Sequence, residues 1–125
     1  MIAGVGTDII KIERVLLAYG RKAFRDRVYT EKEQMLIGER KTRAADNWAM
    51  KEAVVKALGT GFGRIAPSEV ELLRDAAGKP LCALHGVAEQ CAAELGIGYI
   101  HVSVSNEKEY AVAFAVCEKA ERGRL

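Results

Sequence analysis

The chain has 125 residues, half of them hydrophobic, and its 19 basic residues nearly balance 17 acidic ones to leave a net charge of +2. This length suits one globular domain spanning residues 1–125, and the composition is not that of a disordered protein. A charge this close to neutral does not require a nucleic acid or a membrane as partner. No apolar run reaches the roughly 18 residues that a membrane span needs.

The cysteines, Cys82, Cys91 and Cys117, are odd in number and show no CxxC spacing. They are therefore expected to be free thiols rather than a disulfide framework or a zinc site. Free thiols suit a reducing compartment, and the apolar first residues lack the basic segment of a secretory signal. These features predict a cytoplasmic protein.

The chain begins with a predicted strand over 1–10, which is apolar and β-branched and carries Asp8 inside it. Residues 11–28 place apolar side chains at helical spacing with basic residues between them, which predicts a helix broken near Gly20. The basic excess makes this helix a candidate docking surface for an acidic partner.

Thr30 followed by Glu33 is a capping-box pattern and predicts a short helix through about Arg40. The strongest helix pattern covers 44–58, which is rich in good helix formers and ends at Gly59. This helix is apolar around most of its circumference, so we expect it to run through the middle of the domain.

The second half of the chain predicts two hairpins with a helix between them. The first hairpin pairs 70–73 with 81–84, the helix covers 87–95, and the second hairpin pairs 99–105 with 110–116. In the second hairpin we expect one bulky face and one small face, against which a helix could lie closely. The predicted fold class is α+β.

Glu52 and Lys56 lie one turn apart on the apolar 44–58 helix. Burying such charges would cost several kcal/mol unless each has a partner. From these two residues alone, a partly exposed ion pair within the helix is the favoured interpretation.

Asp8 makes a functional role for Glu52 and Lys56 more favourable, because an acid inside an apolar strand is disfavoured by desolvation. Asp8 could equally cap the helix that follows the strand. If instead Asp8 and Glu52 converge, the two carboxylates would suit Mg²⁺, which is held by one or two carboxylates together with water and phosphate oxygens. Lys56 could then neutralise a remaining phosphate charge.

The glycine-rich segment 59–63 follows a helix, whereas phosphate-binding loops open one. A helix C-cap and turn is the favoured interpretation. Contact with a phosphate or another part of a ligand is the alternative, since glycines allow a ligand to approach the backbone.

Several motifs, in order along nearly the whole chain, resemble those of the holo-[acyl carrier protein] synthases, the short bacterial type of the 4'-phosphopantetheinyl transferase superfamily. They are GTDII at 6–10, KEAVVKALGTG at 51–61, GKP at 78–80 and HVSVS at 101–105. The combination of the strand motif with the helix motif is highly specific, whereas each motif alone would be weak.

The resemblance implies that Asp8 and Glu52 bind Mg²⁺ and that Lys56 contacts phosphates of coenzyme A, which makes these three the candidate catalytic residues. It implies the superfamily's α+β fold, with an antiparallel sheet packed around a long central helix. It also implies a homotrimer with active sites between subunits, and we expect the trimer contact to bury the small face of the second hairpin.

The same resemblance assigns further roles. Arg14, with Arg21 and Arg25 beside it, would dock the acidic acyl carrier protein. Four segments would supply coenzyme contacts: the basic residues at 40–43, the glycine segment 59–63, the GKP turn at 78–80 and the end of the HVSVS strand. The residues are Arg40, Lys41, Arg43, Gly59, Gly61, Lys79, Pro80 and Asn106.

Two positions depart from the family pattern. Many members carry an arginine where this chain has Asn47 and a histidine where it has Asn106, and both positions are expected to face the coenzyme. Asparagine can donate hydrogen bonds but brings no charge, so coenzyme affinity or selectivity could differ.

The predicted function is Mg²⁺-dependent transfer of 4'-phosphopantetheine from coenzyme A to a serine of apo-acyl carrier protein, with release of adenosine 3',5'-bisphosphate. The alternative is a non-catalytic protein that binds coenzyme A or another nucleotide. RNA binding finds little support, because the basic residues lack interleaved aromatic side chains.

Overall fold

The computed structural model describes residues 1–121. Gly20 and Arg21 separate the first two helices, which confirms the break expected near Gly20. The third helix ends at Ile37, before the predicted end at Arg40. Gly38, directly after Ile37, takes a φ of +48° and closes the helix. The α-helices are α1 (Ile12–Tyr19), α2 (Lys22–Val28), α3 (Glu31–Ile37), α4 (Thr42–Leu58) and α5 (Gly86–Glu94).

The strands form two antiparallel sheets, and both predicted hairpins are confirmed. One sheet has the order β1-β5-β4 and the other pairs β2 with β3. Asp8 lies inside the first strand, opposite Ala113, as predicted. The strands are β1 (Ile2–Lys11), β2 (Val70–Arg74), β3 (Pro80–Leu84), β4 (Ile97–Asn106) and β5 (Tyr110–Lys119). The molecule therefore has the expected α+β class.

Local chemistry explains where the helices begin and end. The Thr30 hydroxyl accepts a hydrogen bond from the Glu33 backbone N–H, and the Glu33 carboxylate accepts one from the Thr30 N–H, so the capping box is confirmed. α4 begins at Thr42, slightly before the predicted start, and ends at Gly59, whose φ of +79° favours glycine.

α4 packs against one face of the larger sheet with unusually little side-chain material between them. A Cβ atom at Gly4 would collide with the Ala57 carbonyl, and one at Gly6 would collide with the Ala53 carbonyl. On β5 the side chains toward the helix are buried and small: Ala111, Ala113 and Ala115. Strand β1 and helix α4 are therefore in nearly direct backbone contact.

The expectation of one bulky and one small face on the second hairpin is wrong. Val102 and Val104 of β4 stand opposite Ala115 and Ala113 of β5, so large and small side chains share the inner face. The alanines are covered by α4 of the same chain, so their expected burial in a trimer contact is also wrong. The outer face instead exposes apolar side chains, among them Val5, Ile9, Val112 and Phe114.

The three cysteines are free, as predicted. Burial raises the pKa of Cys82 to about 12 and that of Cys117 to about 11, so both thiols are protonated and unreactive at neutral pH. Within residues 1–121, no helix has the length and apolar character to cross a membrane.

Candidate active site

Lys56 reaches from α4 to β1 and joins the two elements. Its Nζ lies 2.9 Å from Asp8 Oδ1 and donates to the Thr7 carbonyl oxygen at 3.1 Å. The reach is short because Gly4 and Gly6 let β1 lie directly on the helix. An ammonium has three donors, so the two contacts leave one donor for a ligand, and half of the Lys56 side chain is exposed.

This contact decides between the alternatives left open by the sequence. Asp8 does not cap the next helix, since Lys11 is the N-cap residue of α1 and no side chain caps it. Lys56 forms its ion pair with Asp8 of the strand, and not with Glu52 of its own helix. The favoured interpretation of an ion pair within α4 is therefore wrong.

Glu52 is half-buried on α4 and carries a third charge of this site. Burial raises the pKa of Glu52, the nearby Asp8 carboxylate raises it further, and Lys56 opposes both effects. Glu52 is thus close enough to feel the charges of both Asp8 and Lys56. A cation bound between the two carboxylates would stabilise the ionised form of both.

The donor set fits some metals and not others. Residues 1–121 contain no group of three or more His, Cys, Asp or Glu side chains that could hold a metal ion. Asp8 and Glu52 can supply two oxygen ligands, which suits Mg²⁺ because this ion keeps several waters and takes oxygens from substrate phosphates. The same pair is too small for a zinc site, which uses three or four protein ligands.

A buried polar cluster lies behind the site and was missed from the sequence. Lys51 Nζ donates to Glu33 Oε1 at 2.8 Å, and both side chains are fully buried. Lys51 also donates to the carbonyl oxygens of Pro67 and Val70. The only sequence signal was a charged residue at position 51 on the apolar face of α4, next to the more conspicuous Glu52.

Asn47 belongs to the same cluster. Its Nδ2 donates to Glu33 Oε2 at 3.0 Å and to the Leu72 carbonyl oxygen at 3.2 Å, and the residue is 4% exposed. The expectation that Asn47 faces the coenzyme is therefore wrong. Its amide instead donates a hydrogen bond inside the protein to the second oxygen of the buried Glu33 carboxylate.

The predicted coenzyme residues lie in separate parts of the chain. Arg40 and Lys41 are exposed just before α4 and Arg43 is half-buried in its first turn; Arg43 lies nine residues, and thus about 14 Å along the helix, from Glu52. Lys79 and Pro80 line a cleft of about 390 Å³ between β3 and β4, together with residues 98–102.

The glycine segment closes α4, as the favoured interpretation predicted. The backbone N–H groups of Gly59, Thr60 and Gly61 donate to carbonyl oxygens of Lys56 and Val55, so they serve as cap donors. Nothing lies within 4 Å of a Cβ built on Gly59 or Gly61. A ligand could approach this open backbone but would not find these donors unoccupied.

The predicted docking surface is only partly open. Arg14 and Arg21 are exposed, but Arg25 donates to the Tyr19 carbonyl oxygen at 3.1 Å and lies over the Tyr19 ring. Beside these residues runs an aromatic row that was not predicted. Its rings lie 6.0 Å and 5.6 Å apart in the order Phe24, Trp48 and Phe62.

Residues 4–115 match the family model described as the 4'-phosphopantetheinyl transferase superfamily. The fold agrees with that match: a solved holo-[acyl-carrier-protein] synthase from Neisseria meningitidis superposes with a TM-score of 0.85 at 33% identity, over 95% of this chain and 100% of that one. The chain is thus a member of this class of transferases.

Further relatives narrow the class. A holo-[acyl-carrier-protein] synthase from Lachnoclostridium phytofermentans is 51% identical over 118 residues, which cover 94% of this chain and 97% of that protein. A Bacillus anthracis holo-(acyl-carrier-protein) synthase, solved in complex with CoA (3',5'-ADP), has a TM-score of 0.79 at 33% identity over 96% of this chain and 99% of its own. The chain belongs to the holo-[acyl-carrier-protein] synthase family and is an enzyme.

Proposed function

We propose that this enzyme transfers 4'-phosphopantetheine from coenzyme A to a serine hydroxyl of an apo-acyl carrier protein and releases adenosine 3',5'-bisphosphate. The observation that carries the proposal is the meeting of Asp8, Lys56 and Glu52 where β1 lies on α4. The names of the relatives and the coenzyme complex of the Bacillus anthracis protein support it.

The reaction forms one phosphorus–oxygen bond and breaks another. The serine oxygen attacks the β-phosphorus of the coenzyme, and the bond from that phosphorus to the bridging oxygen breaks, so that oxygen leaves with the bisphosphate. The serine proton passes to Glu52, directly or through a water. The remaining donor of Lys56 stabilises a phosphate oxygen.

Asp8 and Glu52 are the residues that would hold Mg²⁺. When bound, the ion would offset the negative charge of the phosphates as it does in other phosphoryl transfers. Asp8 has a second task, because its ion pair keeps Lys56 at the site.

Mass spectrometry tests the transfer. Incubation of apo-acyl carrier protein with coenzyme A, Mg²⁺ and this enzyme should add one phosphopantetheine, and Asp8→Asn and Glu52→Gln should each remove most of that activity. Coenzyme binding without a mass gain would favour the non-catalytic alternative. Unchanged turnover in both variants would contradict the metal assignment.

The enzyme is further proposed to be a homotrimer with coenzyme A bound between subunits. The outer face of the sheet supports the contact itself, since its apolar side chains are 43–63% exposed: Val5, Ile9, Val112 and Phe114.

Sedimentation equilibrium tests this assembly. The wild-type enzyme should sediment as a trimer, and Phe114→Arg should shift it to the monomer with loss of transfer. A monomeric wild-type enzyme with full activity would contradict the trimer and leave the transfer reaction intact.

The acyl carrier protein is proposed to dock on α1 and the start of α2. The exposed Arg14 and Arg21 offer positive charge to an acidic partner, and Phe24 and Trp48 add apolar surface toward the active site. This arrangement would bring a serine of the carrier to Glu52, one helical turn beyond Trp48.

A further inference from the structure

Asn106, at the end of β4, is held by a carboxylate on α4. Its Nδ2 donates to Asp46 Oδ1 at 2.7 Å, although the two residues are 60 positions apart in the sequence. Asp46 is 7% exposed, whereas Asn106 is exposed. The contact therefore joins an inner carboxylate to an outer amide.

This contact fixes which end of the amide faces outward. An ionised carboxylate only accepts hydrogen bonds, so the nitrogen of Asn106 must point toward Asp46. The amide oxygen then lies on the side away from Asp46, where the exposed side chain can meet a ligand. On that side Asn106 offers an acceptor.

We propose that Asp46 is a positioning residue for coenzyme A, which acts by holding the Asn106 amide with its oxygen toward the coenzyme. The inference rests on the proposed function and on the coenzyme contact that the family resemblance implies for Asn106. It also names the part of the coenzyme that is recognised. An acceptor beside a negative charge selects an amine or hydroxyl of the nucleoside and disfavours a phosphate.

The direction in which Asp46→Leu changes the affinity for coenzyme A distinguishes a positioning role from a purely electrostatic effect. Coenzyme A is an anion, so removing the negative charge of Asp46 should by itself strengthen coenzyme binding. Loss of the orienting contact should weaken it, because the Asn106 amide could then turn and lose its hydrogen bond to the nucleoside. Asp46→Leu therefore has opposite expected effects under the two accounts.

The experiment uses Asn106→Ala, Asp46→Leu and the double variant, with apo-acyl carrier protein at saturation. Each single variant should raise the KM for coenzyme A roughly fivefold with kcat unchanged, as expected for loss of one hydrogen bond made equally in ground and transition states. The double variant should bind coenzyme A no more weakly than Asn106→Ala alone, since the positioning effect of Asp46 acts only through Asn106.

Three further readouts guard against a purely structural role. Asp46→Asn keeps an acceptor oxygen and should retain most of the coenzyme affinity that Asp46→Leu loses. If Asp46→Leu fails to fold, Asp46→Asn is the variant that is measured in its place. The KM for the carrier protein should stay unchanged in every variant. The Kd of coenzyme A, measured by calorimetry, should change in parallel with its KM.

The outcomes distinguish this inference from the proposed function. If Asp46→Leu leaves or lowers the KM and Kd for coenzyme A, or if its effect adds to that of Asn106→Ala, the positioning role is wrong while transfer stands. If the wild-type enzyme transfers nothing, the proposed function is wrong, and the calorimetric Kd values still decide whether Asp46 positions Asn106.

Discussion

The Glu33 carboxylate and the Lys51 ammonium form an ion pair 2.8 Å long in which both side chains are fully buried. Lys51 also donates hydrogen bonds to the carbonyl oxygens of Pro67 and Val70. The second oxygen of Glu33 accepts a hydrogen bond from Asn47. The pair thereby ties α3 and the segment before β2 to the helix that carries Glu52 and Lys56.

Removing one partner of this pair should be costly. Lys51→Met would leave the Glu33 charge buried without its cation and should lower the free energy of unfolding by about 3–5 kcal/mol. Urea unfolding measures this change. The matched control is Lys22→Met, which breaks an exposed pair with Asp26 and should leave the free energy of unfolding almost unchanged. A Lys51→Met variant as stable as that control would contradict the buried pairing.

Much of the secondary structure was predictable because its signals are local. The Thr30–Glu33 capping box, the break at Gly20 and the cap at Gly59 each depend on residues within one turn. The faces of the second hairpin were not predictable in this way. A shift of register by one residue turns every side chain to the other face, and the register depends on the conformation of the turn at 107–109.

Asp8, Glu52 and Lys56 were singled out from the sequence, but the pairing of Lys56 with Asp8 was not predicted. Asp8 was correctly placed inside β1, but its pairing with Lys56 depends on how closely β1 approaches α4. That approach is set by contacts of Gly4 and Gly6 with a helix about fifty positions away, which no local pattern reveals. The burial of Lys51 was missed for the same reason.

Gly6→Ala should separate β1 from α4, because the new Cβ would collide with backbone atoms of Ala53 and Ala57. We expect a loss of about 1–3 kcal/mol in unfolding free energy and a fall in transfer activity, since Asp8 would move away from Lys56. Gly63→Ala is the control, because nothing lies within 4 Å of its Cβ position. Equal stability and activity in the two variants would contradict a backbone contact at Gly6.

Lys56→Ala should weaken transfer without unfolding the protein. The ion pair with Asp8 is half-exposed on the lysine side and adds little stability, so the thermal midpoint should change little. Loss of a charged hydrogen bond to a phosphate should lower kcat/KM for coenzyme A roughly 10- to 100-fold. Lys119→Ala, at the exposed end of β5, should leave kcat/KM unchanged. Activity retained in Lys56→Ala would mean that its ammonium does not contact the coenzyme.

Arg14→Glu should act on the carrier protein alone. Reversing an exposed charge on α1 should raise the KM for acyl carrier protein and weaken the salt dependence of that KM, because the docking charge lies away from the reacting phosphate. The KM for coenzyme A should not change. Lys119→Glu makes the same charge change elsewhere on the surface and is the control. A fall confined to kcat would show that Arg14 serves chemistry rather than docking.

Glu71 on β2 should make the free energy of unfolding depend on pH in the acid range. Burial alone would raise the pKa of Glu71, but hydrogen bonds from Thr30 and His85 outweigh it and hold the pKa below its ordinary value. A carboxyl whose pKa is depressed by folding stabilises the protein above its unfolded pKa of about 4.3 and loses that contribution as the pH falls through the folded pKa.

Glu71→Gln removes this titration, so the stability gap between wild type and variant should be widest near pH 6 and should narrow below about pH 4.5. Urea unfolding from pH 3 to 6 measures the gap. Glu94→Gln, an exposed change at the end of α5, should leave it near zero throughout. A gap for Glu71→Gln that stays constant down to pH 3 would mean that the two hydrogen bonds do not favour the ionised carboxylate.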